Sequence, residues 1–462
     1  MKPFIADYNS SSSLPLYIQL YRHIKSAIIQ GDTRAGDRLP SLRRMAEDSG
    51  LSLTTVGRAY DQLLTEGYVT SRPQSGYYAN DIPGRPTEPG PAPKLTFDLS
   101  DQRFYDSPYM YDLATFDFVR WKKCMSRVFN EYPELLLSES DIQGERALRY
   151  EIARYLYRSR GVTTDPDRIV IGAGSQQLTF HLCRILRRLG INLLCMEEPG
   201  YEPINKIFTD DGFSILKIPG TDEGLTIEKL PVNIRSAVYV SPANRFPSGD
   251  VMPIATRYRL LEWVKENDSI ILEDDYDSEL RYAGKPVPAL QGLDKTGRVV
   301  YFGSFTATLF PAVKISYMIL PEALAQIFYT IMSDYTQTCS KTDQLTLALF
   351  MEDGYYYTNI RKIRSLYARK ISLAISAFSA YAHGKIRPAN PKAGKNMVIR
   401  VDSHLDVETL TGRAKDLGIR LAPLAISVGT KAEKTFIFYY NQIPSEKMVP
   451  VIQKLIEAWG MH

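Results

Sequence analysis

Residues 270–282 read IILEDDYDSELRY, and residues 299–321 read VVYFGSFTATLFPAVKISYMILP. Each opens as a β-rich apolar run and ends in polar residues, the pattern of a buried parallel strand whose carboxyl end meets a ligand. The first presents Asp274 and Tyr276 at its end. The second presents Ser304, Thr306 and Lys314 around a small loop. A carboxylate facing a ring nitrogen, a phenol near a ring oxygen, and hydroxyls with a cation around a phosphate suit pyridoxal phosphate.

Outward from these segments, helix and strand patterns alternate. Residues 144–160 make an amphipathic helix carrying Leu148, Ile152, Tyr155 and Leu156. Residues 168–171 read as a strand that runs through Gly172-Ala173-Gly174-Ser175-Gln176-Gln177 into a helix. A glycine turn with a hydroxyl at a helix N-terminus makes an anion pocket from unpaired backbone N–H groups, here at Ser175 and Gln176; a plain strand–helix turn is the other reading. Strands at 191–196 and 237–240 end at Tyr201 and at Asn244-Arg245, and a helix spans 254–267. Strands separated by helices indicate a mostly parallel sheet with right-handed crossovers. Residues 322–380 read as helical. The last stretch, with strands at 396–401 and 435–440 and helices at 407–417 and 445–459, reads as a small α+β lobe.

The first eighty residues follow another pattern. Leu16, Leu20, Ile24, Ile28 and Ile29 lie near helical spacing after Pro15, which suits the first helical position. Gly31 stops that helix, Ser41 caps a short second one, and Gly50 breaks it. Ser52 caps a third, with Val56, Tyr60, Leu63 and Leu64 as its apolar stripe. Residues 68–70 and 77–79 flank Arg72-Pro73-Gln74-Ser75-Gly76 as a hairpin. These elements describe a winged helix-turn-helix. Ser52, Thr54, Thr55 and Arg58 form the small polar face that a major groove admits.

At 462 residues, with 44% hydrophobic and 23% charged residues, the chain is expected to fold as several globular domains. The boundaries read as 1–80, a proline- and glycine-rich linker at 81–97, a large domain at 98–380 and a small lobe at 381–462. A net charge of +4 does not by itself imply nucleic acid. Four scattered cysteines form no ligand or disulfide pattern. The absence of a basic head with an apolar stretch, and of any run long enough for a membrane span, predicts a cytoplasmic protein. No metal or Ser/His/Asp signature stands out.

The segment from Leu39 to Tyr78 resembles the GntR-type DNA-binding domain. By that match Arg43 approaches backbone or bases, Thr54, Thr55 and Arg58 the groove, and Arg72 through Gly76 the wing. The family often has arginine at Leu53 and glycine at Gln74. EDDYDSELRY followed by GSFTATLFPAVKISYMILP, together with EEPGY, SPANRFPSG and the helical run around Asn359, resembles the aminotransferase-like half of MocR/GabR regulators. Those proteins share the fold-type I architecture of pyridoxal-phosphate enzymes. The resemblance implies a homodimer binding operator DNA and a small-molecule effector. It places Tyr201 on the cofactor ring, Asn244 or Arg245 near its hydroxyl, and Lys314 in the role of a phosphate-binding arginine.

Three positions depart from that family. Its loop lysine, the Schiff-base amine, is Ala307 here, so no catalytic residue is assigned and the cofactor is expected to be held non-covalently. Ile437 stands where aminotransferases carry a carboxylate-binding arginine, and Pro203 where relatives that sense γ-aminobutyrate carry another. An intact cup around one changed residue is what a replaced lysine would leave; the changes at Ile437 and Pro203 are what divergence would leave. Two rival functions stand beside the regulator: a pyridoxal-phosphate-dependent class I/II aminotransferase, which Ala307 opposes, and a cofactor-free metabolite sensor.

Overall fold

The computed structural model describes residues 14–82, 113–221, 223–246, 249–282, 287–389, 393–424 and 433–461. The linker expected at 81–97 lies outside the described residues from 83 onward. The chain divides into two units, Met1–Leu99 and Ser100–His462.

In the first unit, α1 (Leu16–Gln30) buries Leu20, Ile24 and Ile28 against α2 (Leu42–Ser49) and α3 (Leu53–Thr65). Pro15 precedes the first helical residue instead of occupying it, with ψ of 143°. The Ser41 hydroxyl accepts from the Arg44 amide and the Ser52 hydroxyl from the Thr55 amide, so both expected caps form. One expected core residue is wrong. Leu64 is 39% exposed, and Ala59 completes the stripe with Val56, Tyr60 and Leu63, because the helical period turns position 64 outward. Strands β1 (Val69–Arg72) and β2 (Gly76–Ala79) pair antiparallel, Val69 opposite Ala79 and Arg72 opposite Gly76. Gln74 sits at the tip with φ of 59°, a left-handed backbone of the kind glycine adopts most readily.

In the second unit, α4 (Phe118–Glu131) and α5 (Arg146–Arg160) lead to β3 (Ile169–Gly172) and α6 (Ser175–Arg188). There follow β4 (Leu193–Glu198), α7 (Glu202–Asp210), β5 (Ser214–Thr221), β6 (Gly224–Leu225), β7 (Ala237–Val240) and α8 (Ile254–Glu266). The two segments read first from the sequence supply β8 (Ile270–Asp275), β9 (Val299–Ser304) and β10 (Ser316–Ile319). Together these strands form one sheet in the order β3-β10-β9-β8-β7-β4-β5-β6.

Strands β5, β4, β7, β8 and β9 run parallel to one another, as their apolar composition predicts. The second segment, expected to be one parallel strand, folds back instead. Strand β10 lies antiparallel between β9 and β3. The loop joining β9 to β10 holds only a short 3₁₀ turn, Pro311–Val313, too little to carry a parallel crossover, so the chain reverses direction.

Helices α9 (Glu322–Met332) and α10 (Lys341–Glu352) cover the sheet. Helix α11 (Tyr355–Tyr381) buries Tyr356 and Ile360 in the large-sheet core, and Ile363, Tyr367 and Phe378 in the core of a second, smaller layer. That layer is an antiparallel sheet, β11 (Ile386–Ala389), β12 (Met397–Asp402), β13 (Leu421–Leu424) and β14 (Glu433–Phe438) in the order β11-β12-β14-β13. It is backed by α12 (Val407–Asp416) and α13 (Met448–Ala458). Strands β11 and β13 were not foreseen; each carries a proline, which depresses a strand reading.

Candidate ligand cavity and DNA-reading elements

Side chains alternate along β8 and just beyond it. Glu273 and Asp275 are buried off the wall, while Asp274, Tyr276 and Asp277 line a cavity of 570 Å³ at the carboxyl ends of the parallel strands. The buried set anchors the strand end. Glu273 accepts the Leu290 and Gln291 amides at 2.7 Å each, and Asp275 pairs with Arg160 at 2.7 Å and accepts the Tyr301 hydroxyl.

On the cavity side the Tyr239 hydroxyl donates to Asp274. Burial pushes the Asp274 carboxyl up to about 7, with the Tyr239 bond pulling the other way. Burial also raises the Tyr239 and Tyr276 phenols well above their ordinary range, which keeps both protonated as donors. Among the described residues no cation is paired with Asp274. A protonated ring nitrogen would supply the missing countercharge.

Another part of the cavity wall suits an anion. Gly174, with φ of 106° and no side chain, is the cap of α6, so no side-chain oxygen occupies the first-turn amides of Ser175 and Gln176. Ser304, Thr306 and Lys314 come round from β9 and its loop to line the same cavity. The Ser304 hydroxyl accepts from Ser316 at 2.9 Å and from the Thr306 amide at 3.3 Å. Lys314 adopts a left-handed backbone, φ 47° and ψ 39°, an uncommon conformation for a residue with a side chain.

Of the residues expected to bind the cofactor, Ser175, Gln176, Tyr201, Asp274, Tyr276, Ser304, Thr306 and Lys314 line this one cavity, together with Ala307 and Pro203. Asn244 does not. It lies behind Tyr276, donating to Asp277 and standing 3.4 Å from the Tyr276 hydroxyl, which itself donates to the Asn244 carbonyl at 3.1 Å. The Asn244 Oδ1 atom is buried with no hydrogen-bond partner among the described residues. Arg245 does line the cavity, tied to Glu197 at 3.2 Å through Nε and to the Thr221 carbonyl at 2.7 Å. Ile437 is 2% exposed inside the small lobe and is absent from the lining. Lys395, Asn396, Arg420 and Tyr439 reach the cavity from that lobe instead. No sequence motif marked them, because their strands come together only in the folded lobe.

In the first unit Arg43, Ser52, Thr54, Arg58 and Arg72 are exposed. The hydroxyls of Ser52 and Thr55 bond each other at 2.8 Å, so both serve the start of α3. Arg72 stacks on Tyr78, its guanidinium carbon 4.5 Å from the ring centre, which stiffens the hairpin. A side chain at Gly76 would crowd Arg38, whose Nε lies 3.3 Å from a Cβ built there.

A winged helix-turn-helix in one chain with a fold-type I sheet and a cavity at its strand ends defines a DNA-binding regulator carrying an aminotransferase-like unit. Residues 16–78 match the family described as bacterial regulatory proteins, gntR family, and residues 115–417 match aminotransferase class I and II. The chain belongs to the MocR-type family of HTH-type transcriptional regulators, which join these two parts. It is 36% identical to the uncharacterized HTH-type transcriptional regulator YdeL of Bacillus subtilis over 99% of both chains. Against the probable rhizopine catabolism regulatory protein MocR of Rhizobium meliloti the identity is 32%, covering 90% of this chain and 87% of that one. Among solved structures, a Pyrococcus horikoshii kynurenine aminotransferase superposes with a TM-score of 0.64 at 23% identity, over 76% of this chain and 89% of its own; that likeness shows the fold. Among the described residues no helix is long and apolar enough to cross a membrane.

Proposed function

We propose that this regulator reads operator DNA in the cytoplasm as a homodimer, and that its aminotransferase-like unit senses a small ligand with pyridoxal phosphate held non-covalently. Arg43, Ser52, Thr54, Thr55 and Arg58 face the groove, and Arg72 through Gly76 form the wing. The observation that carries the cofactor reading is the convergence of eight expected residues on one cavity, with Ala307 also on its wall.

Asp274 would hold the ring nitrogen, Tyr276 the ring oxygen and Tyr201 the ring face. The Ser175 and Gln176 amides, Ser304, Thr306 and Lys314 would hold the phosphate. Pyridoxal phosphate supplies an aldehyde and an electron-withdrawing ring when bound. Ala307 gives the chain no amine at that loop to join to the aldehyde, which argues against transamination as its task. Affinity then depends on shape, charge and hydrogen bonds alone, and a freely exchanging group suits a sensor.

Calorimetric titration of pyridoxal phosphate into the purified chain tests this. Saturable binding that Asp274→Ala weakens at least about tenfold supports the cup, since one charge-assisted contact has that worth. Operator binding in gel shift with no heat from pyridoxal phosphate would favour the cofactor-free sensor.

A further inference from the structure

We propose that Leu53 and Gly57, one turn apart at the start of α3, form an apolar notch that receives the C5-methyl group of a thymine in the major groove of the operator. This rests on the reading of α3 as the groove helix given above and adds a base that it selects.

An exposed leucine is ordinary on a protein surface. Leu53 stands out by its place. It is the first residue of α3 and 51% exposed, outside the core that Val56, Ala59, Tyr60 and Leu63 build. The hydroxyls of Ser52 and Thr55 are tied to each other at 2.8 Å, and Ser52 accepts the Thr55 amide at 3.1 Å. Leu53, Thr54, Gly57 and Arg58 are left to form the outward side at the start of the helix. Residues four apart on a helix lie one above the other, so Leu53 and Gly57 make one row and Thr54 and Arg58 the next.

Gly57 gives the row its hollow. Apart from its chain neighbours and the helix backbone, nothing lies within 4 Å of a Cβ built on it. Its backbone is helical, so neither packing nor conformation within the unit requires glycine, and alanine would form the helix better. A missing side chain at such a position admits the close approach of another molecule. Leucine carries no donor or acceptor and reads none of the hydrogen-bonding pattern of the base edges. The apolar feature that the major groove offers it is the thymine methyl. Asp61 follows on the same row and is exposed. Its carboxylate is repelled by DNA phosphates, which confines the close contact to the start of the helix.

The test uses duplexes that the full chain selects from a random pool, with deoxyuridine then replacing thymidine one position at a time, which removes a single methyl group. Gel shifts at fixed salt should show a loss of about fourfold at one thymine position, the worth of about one buried methyl group. Leu53→Ala should weaken binding to the thymine duplex and bring the two duplexes level. Gly57→Ala should lose at least about fivefold on the thymine duplex, where its methyl overfills the notch. On the deoxyuridine duplex it should lose less, since the added methyl finds the vacated space. Its urea midpoint should not fall, which separates lost recognition from lost structure. Indifference of every selected duplex to deoxyuridine overturns the notch, and leaves α3 in the groove where Thr54→Ala or Arg58→Ala still weakens binding. Sensitivity that survives Leu53→Ala overturns the assignment to Leu53, and an equal loss from Gly57→Ala on both duplexes overturns the part given to Gly57. Unchanged binding by both Thr54→Ala and Arg58→Ala removes the groove reading and this proposal with it.

Discussion

The Tyr239 hydroxyl donates to the Asp274 carboxylate at the end of β8, and among the described residues this is the hydrogen bond that holds the carboxylate. Burial carries Asp274 from an ordinary 3.8 up to about 7. Between those values the folded chain keeps a proton that the unfolded chain has released. The stability this contributes is full below about 4 and is lost as pH rises through about 7. Glu273 and Glu279, each raised to about 7, and Asp277, raised to about 6, act in the same direction. Asp274→Asn should therefore flatten the fall in stability between acid and alkaline pH, by roughly 1–3 kcal/mol after allowance for screening through the open cavity. Urea denaturation of the ligand-free chain at both ends of that range checks it. An unchanged pH slope refutes the assignment.

Ala307 is 5% exposed and lies on the cavity wall. Ala307→Lys should restore an amine within reach of an aldehyde held in the cup. The variant, incubated with pyridoxal phosphate and reduced with borohydride, should carry the added mass on the peptide containing position 307. The unaltered chain should carry none there. Labelling at Lys314 in the variant instead would place the aldehyde at the wrong end of the cavity.

Arg160 and Asp275 are 3% and 2% exposed at their side chains and 2.7 Å apart. Removing one partner strands a charge in the interior. Arg160→Met should cost about 3–5 kcal/mol of unfolding free energy, and the double variant with Asp275→Leu should recover much of it. A single variant that loses less than about 1 kcal/mol would place the pair in a wetter setting than the structure gives. Chemical denaturation of the full chain reads both.

On the DNA-binding unit, Arg58 projects from the exposed face of α3, whereas Arg44 is turned toward Asp48 at 3.8 Å. Arg58→Ala should cost operator affinity about 1–3 kcal/mol if it reads a base. If it holds a phosphate, the salt slope should fall by about one. Arg44→Ala should do little by either measure. Gel shifts across a salt series tell these apart, and equal losses from the two variants would void the groove assignment.

The helix stops at Gly31 and Gly50 and the caps at Ser41 and Ser52 were legible in the chain because each acts through neighbours a few residues away. The alternation that turns Asp274 and Tyr276 to one side and Glu273 and Asp275 to the other is equally local. Leu64 was misplaced since an apolar residue beside a helical stripe looks the same whether or not the period brings it inward. The motif set either Asn244 or Arg245 near the ring hydroxyl, and it is Arg245 that lines the cavity; Asn244 does not. The fold sets it one layer back, where it bonds Asp277.

What the sequence by itself determined was the order of elements, the DNA-reading unit, and the absence of the loop amine at Ala307, since periodicity, capping and identity at a single position travel along the chain. The antiparallel turn-back of β10, the pairing of Tyr239 with Asp274, and the arrival of Arg420 and Lys395 at the cavity were decided only by tertiary structure. Each depends on strand register and lobe packing between residues far apart in sequence. Contacts of that kind leave no periodic trace in the segments that make them.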